Sequence, residues 1–238
     1  AQINDEIDRL RHHATRSLFL RNDVIIVASI SCIYCLGSPK AYYDSVQLVR
    51  QNQVINRDEF LTQLNTLQYE RNDIELVSGR YRVRGEVVEL YPSWEDSVIR
   101  FEFFGDEIEA IQLCDPVSLD TLAVLPSVSI FPATHYIVSD DLEPAIARIK
   151  TELAEQLEVL KAAGRELEAQ RLQKRTAYDI AMMRELGYCK GIENYSRIVE
   201  NRPPGSPPDV LLDFFPKNFI TIIDESHATV PQIRGMYR

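Results

Sequence analysis

Glycine is scarce, with 9 in 238 residues. No stretch sets a glycine-rich turn before Lys-Ser or Lys-Thr, so the backbone cradle that grips nucleotide phosphates has no candidate. Cysteine is equally sparse, at 4, and only Cys32 and Cys35 stand close together. Without a second ligand pair or a thioredoxin-like context, that pair reads as reduced thiols of a cytosolic protein rather than as a zinc or redox site. No run of about 18 apolar residues exists, so no membrane span is expected. The opening residues Ala1-Gln2-Ile3-Asn4-Asp5-Glu6 lack a basic region followed by an apolar one, which argues against a secretory signal. They also lack an initiator methionine, and the chain is expected to begin inside a longer one. Basic charge is in deficit: 26 Lys and Arg against 36 Asp and Glu give a net charge of −10. Dedicated nucleic-acid binders are usually basic, so any nucleic-acid contact must be confined to a local surface.

What is present is ordinary for a folded chain: 45% hydrophobic and 26% charged residues, enough for one large or two small cores. Ile3, Ile7, Leu10, Ala14 and Leu18 recur at helical spacing, and the pattern predicts a helix over 3–20. Val24-Ile25-Ile26-Val27-Ala28 reads as a strand covered on both faces in a parallel sheet. Ser38 and Pro39 suit a helix start, and Asn56 with Glu59 opens a helix over 56–70. From residue 80 the periodicity changes to alternation: 80–91, 98–104, 107–114 and 127–131 predict a small antiparallel sheet. Residues 139–186 read as helical, divided near Gly164 into two antiparallel helices. Arg202-Pro203-Pro204-Gly205-Ser206-Pro207-Pro208 is a stiff connector. The fold class expected is α/β and α+β, multidomain.

Phe219-Ile220-Thr221-Ile222-Ile223 reads as a second buried strand, ending in Asp224-Glu225-Ser226-His227. Nucleoside triphosphatases place two acids at such a strand end, one to hold Mg²⁺ and one to polarise the attacking water. Asp224 and Glu225 are the candidate catalytic pair, with Asp224 as the metal ligand. A polar strand-to-loop junction would look the same.

Several blocks together resemble the UvrB family of superfamily-2 helicase-like proteins. They are Ser29 to Tyr34, Tyr81 to Glu86, Phe131 to Tyr136, Gly187 to Arg197, Pro203 to Pro208, and Asp224-Glu225-Ser226-His227 with Gly235-Met236-Tyr237. The resemblance covers essentially the whole chain in order. It implies that 1–44 belongs to a first RecA-like motor domain and that 45–138 is a domain docking on UvrA. It further implies that 139–215 is a helical domain gripping DNA and that 216–238 returns to the motor. The phosphate-gripping segment and a DNA-clamping β-hairpin would precede Ala1. A second motor domain and the UvrC-binding helices would follow Arg238. An internal fragment is therefore expected, with no nucleotide hydrolysis of its own.

The same resemblance implies roles for single residues. Arg71, Arg82, Arg84, Arg100 and Glu102 match positions that contact UvrA. Residues two apart on a strand share a face, so Arg80, Arg82 and Arg84 form a basic row. Taken alone, such a row also fits a solvated sheet face. Ser29, Ser31, Tyr34, Tyr136, Arg175 and Glu193 match positions near DNA, although either aromatic could equally pack in a core. Cys35 departs from the glycine usual in the family. ATP and Mg²⁺ are implied for the intact relatives, with damaged DNA, UvrA and UvrC as partners, no membrane association, and a cytoplasmic place in nucleotide excision repair and the SOS response. Two other readings remain at this point. One is the related N-terminal region of a transcription–repair coupling factor; the other is a self-sufficient DExH helicase or ATPase.

Overall fold

The computed structural model describes residues 5–33, 36–137, 142–187, 189 and 191–236. Two compact units emerge: residues 1–137 with 209–238, and residues 138–208. In the first unit α1 (Asp5–Leu20) is followed by a segment without regular secondary structure, one 3₁₀ turn (Ile30–Cys32) and the short α2 (Pro39–Asp44). Strand β1 (Gln47–Arg50) leads to α3 (Arg57–Thr66), whose Asn56 side chain accepts from the Asp58 N–H and so caps it.

Next come β2 (Glu70–Arg71), β3 (Arg80–Arg84), β4 (Val87–Tyr91), β5 (Val98–Phe104), β6 (Glu107–Cys114), β7 (Thr121–Val124) and β8 (Ser127–Ile130). Strands β2 to β7 form one six-stranded sheet in sequence order. It is antiparallel except for the parallel β2–β3 pair. Strand β8 leaves that sheet and pairs with β1. The hairpin between β3 and β4 turns on Gly85-Glu86, where Gly85 takes φ 61°, a conformation that favours glycine.

One sheet face is apolar. Tyr81, Val88, Leu90, Ile99, Phe101 and Ile111 are all buried, and Phe60 of α3 packs edge-on to Phe101 with ring centres 4.9 Å apart. Aromatic residues join this core to the strand-free parts of the unit: Trp94 meets Phe131 at 5.4 Å, and the Tyr69 hydroxyl donates to the Phe131 carbonyl at 2.8 Å.

The two buried strands expected from 24–28 and 219–223 are not found. Both segments lack regular secondary structure and pair with no strand among the described residues, with Ile25 91%, Val27 96%, Ile220 87% and Ile222 88% exposed. A strand in a parallel sheet needs neighbours on both hydrogen-bonding edges and cover on both faces. Among the described residues neither segment meets another strand, so its apolar pattern has no sheet to enter. A motor sheet is therefore not seen among the described residues, and Asp224 does not stand at a strand end.

The second unit is helical: α4 (Glu143–Ala162), α5 (Glu166–Leu186) and α6 (Ser196–Val199), with a 3₁₀ turn at Ile192–Tyr195. Gly164 at φ 70° reverses the chain between α4 and α5. Arg184 and Glu143 form a two-pronged ion pair between the two helices at 2.6 and 2.8 Å. The first unit ends in α7 (Ser226–Met236).

Candidate functional site

The polar face of the six-stranded sheet carries a ladder set by register. Arg82 lies opposite Glu89, Glu89 opposite Arg100, and Arg100 opposite Gln112. Glu89 binds both arginines at once: Arg82 Nε donates to Oε2 at 2.5 Å, and Arg100 Nη2 donates to Oε1 at 3.0 Å. Arg100 Nη2 also reaches the Leu119 carbonyl at 3.2 Å. Gln112 Nε2 donates to Glu102 at 3.1 Å, and Thr121 Oγ1 donates to Gln112 at 2.8 Å. Burial pushes the Glu89 carboxyl up, but the hydrogen bonds and charges of the two guanidiniums pull it further down, below its ordinary value.

This arrangement corrects the expectation of a displayed row. Arg82 is 8% exposed and held by Glu89, so it braces the sheet face. Arg84 is exposed at the strand end and makes no direct ion pair among the described residues. Arg71 is exposed but forked onto Asp73, with its Nη2 at 2.9 Å. Those hydrogen bonds, the Val83 N–H and the charges of Arg71 and Arg84 hold the Asp73 carboxyl low. Arg100 and Glu102 are half-buried. Glu89 was missed from sequence, although the two-residue Gly85-Glu86 turn fixes its place opposite Arg82.

The DNA-facing candidates are scattered by comparison. In the first unit Ser29 Oγ lies 3.6 Å from Cys32 Sγ, and Tyr136 is half-buried. The Ser31 side chain, Tyr34 and Cys35 lie outside the described residues. Gly37 packs against the Tyr136 segment so closely that a Cβ there would lie 2.6 Å from the His135 carbonyl oxygen and 3.2 Å from Tyr136 Cα. Gly37→Ala is accordingly expected to cost about 2 kcal/mol through overpacking against backbone. An unchanged urea midpoint for that variant would show that the loop shifts freely. In the helical unit Arg175 is exposed, 3.8 Å from the buried Asp179 carboxylate. Asp179 also accepts from the Tyr195 hydroxyl at 2.7 Å, and burial followed by this carboxylate pushes that hydroxyl up to about 12. The Glu193 side chain lies outside the described residues.

Asp224 and Glu225 sit together in solvent. The Glu225 N–H donates to Asp224 Oδ1 at 2.8 Å, Glu225 has φ 47°, and its carboxylate lies 3.3 Å from His227 Nδ1. Among the described residues no three His, Cys, Asp or Glu side chains converge on a metal position. No helix among the described residues is long and apolar enough to cross a membrane.

Comparison with known proteins gives two family matches: the UvrB interaction domain over residues 48–136, and the UvrB third helical domain over residues 140–201. The chain is 54% identical over 238 residues to UvrABC system protein B of Gloeothece citriformis. It is 56% identical over 239 residues to that of Latilactobacillus sakei, and 54% over 239 to that of Caldicellulosiruptor saccharolyticus. Each alignment takes in all of this chain and 36% of the relative, so the chain spans about a third of the length of these proteins.

Proposed function

The chain belongs to the UvrB family, and on that premise we propose that it serves nucleotide excision repair as a segment that docks on UvrA and touches DNA. One observation carries the docking assignment. The region matched as the UvrB interaction domain displays Arg84 and Arg71 beside a buried Arg82–Glu89–Arg100 network that stiffens their sheet. Arginine pairs well with partner carboxylates, because its planar fork matches their geometry. Arg84 and Arg71 are the contacting groups in this reading. Arg82, Arg100 and Glu102 keep the surface in register through Glu89 and Gln112.

DNA contact falls to Ser29, Ser31, Tyr34 and Tyr136 in the first unit and to Arg175 and Glu193 in the helical unit. ATP and Mg²⁺ belong, in this proposal, to the longer relatives. Asp224 and Glu225 would be their contribution from this segment, and no step is assigned to them here. UvrC contact is placed outside this chain, and a cytoplasmic setting within the SOS response goes with the repair role. Identity of 54–56% to UvrABC system protein B along the entire chain favours this reading over the coupling-factor and free-helicase alternatives.

The test uses surface charge alone. Arg71→Ala with Arg84→Ala should weaken UvrA binding by at least tenfold, consistent with two interface arginines at about 1–2 kcal/mol each. The urea midpoint should stay within experimental error, since both side chains are exposed. Undiminished affinity of the double variant in calorimetry would remove the docking assignment.

A further inference from the structure

Helix α5 carries a concentrated basic face in an otherwise acidic chain. Between Glu168 and Glu185 its one acid is Asp179, which is buried. Arg171, Lys174, Arg175 and Tyr178 are all exposed, Tyr178 by 65%. At about 100° per residue these four positions fall within an arc of about 100°. Ala169, Thr176, Ile180 and Met183 form the buried opposite side.

The charges on this face are also available. Elsewhere in the helical unit Lys161, Arg165, Arg184, Arg197 and Arg202 are each committed to a carboxylate within 4 Å. Arg171 and Lys174 have no ion-pair partner among the described residues, and Arg175 has only the long contact to Asp179 at 3.8 Å. From Arg171 to Tyr178 the helix rises about 10 Å, room for about three phosphates at helical spacing. A row of cations ending in an exposed phenol ring matches a strand whose bases are free to stack.

We propose that Arg171, Lys174 and Tyr178 extend the Arg175 contact into a track for single-stranded DNA, with the cations on successive phosphates and a base on the Tyr178 ring. The inference rests on the reading of the helical unit as a DNA contact. Charge complementarity selects the occupant: a flat acidic protein surface would use the cations but leave the ring without a function.

The test is fluorescence anisotropy of the 238-residue chain with a labelled single strand, across a salt series. Arg171→Gln with Lys174→Gln should lower the slope of log affinity against log salt by about 1.4, or about 0.7 for each phosphate no longer neutralised. Tyr178→Ala should weaken binding about tenfold while Tyr178→Phe retains it, because stacking needs the ring and not the hydroxyl. Lys161→Gln on α4 should leave the slope unaltered. If Arg175→Gln lowers the slope but the Arg171–Lys174 double variant does not, the track is wrong and the DNA reading stands. If the unaltered chain shows no salt-dependent binding, both fail. Equal affinity for a duplex, insensitive to Tyr178→Ala, would overturn the single-strand assignment.

Discussion

Glu89→Ala is expected to destabilise the sheet-bearing unit by about 3–5 kcal/mol, the usual cost of removing one partner from a buried ion pair. Two guanidiniums lose their counter-charge in that variant. Arg82 has almost no access to water and, among the described residues, no other carboxylate partner, while Arg100 keeps the Leu119 carbonyl. Chemical unfolding of the chain measures the loss directly. Glu89→Gln separates packing from charge: it preserves shape and one acceptor, so a loss as large as that of alanine would assign the effect to charge. Where the Gln variant still folds, weaker UvrA binding would mark Glu89 as a positioning residue. A shift of under about 1 kcal/mol for the alanine variant would mean that the network is solvated and contributes like an ordinary surface pair.

Stability is expected to fall steeply as pH drops below about 6.5, because two histidines are buried uncharged. His12 of α1 stacks on His135 with ring centres 3.8 Å apart, and Tyr42 also stacks on His135 at 5.5 Å. Thr15 Oγ1 stands 3.2 Å from His135 Nε2, while His12 Nδ1 has no hydrogen-bond partner among the described residues. Burial, with the nearby Arg11 charge, pushes His12 down to about 3. Burial, then the neighbouring His12 and Arg11, pushes His135 well below its usual value. A histidine whose pKa is lowered by folding binds its proton more readily in the unfolded chain. Its contribution is therefore complete above the unfolded value of 6.5 and is lost as pH falls towards the folded one. Each histidine removes up to about 1.4 kcal/mol per pH unit across that window. Glu89 acts in the same sense lower down: its folded pKa is depressed, so its contribution fades as pH falls below about 4.5. Urea unfolding at a series of pH values checks this, and His12→Gln should reduce the slope by one proton. A flat profile between pH 6.5 and 5 would show that the histidines protonate in the folded state.

Local pattern was a good guide wherever one element settles its own form. The stripe from Ile7 to Leu18 gave α1, Asn56 gave the start of α3, and Gly164 parted α4 from α5, while alternation from Arg80 to Tyr91 gave β structure but read as one run what folds as the two strands β3 and β4. Pattern failed where the outcome depends on a distant partner. Ile25 and Ile222 have the composition of buried strands, but burial needs neighbours that are absent among the described residues. The pairing of His12 with His135 joins positions more than 120 residues apart, and nothing in the spacing announces it. The arginine row is the intermediate case. Shared facing of Arg80, Arg82 and Arg84 follows from strand geometry, yet Arg82 is withdrawn because register sets Glu89 opposite it. That register was readable from the Gly85-Glu86 turn, so the bracing carboxylate could have been found by counting across the hairpin.

The most direct check on the proposed docking is a calorimetric titration of purified UvrA with the unaltered 238-residue chain, at low and at high salt. The account predicts saturable binding that weakens as salt rises, because exposed Arg84 and Arg71 supply recognition that ions can screen. Absence of binding at low salt, from a chain shown to be folded by its cooperative unfolding, would contradict it.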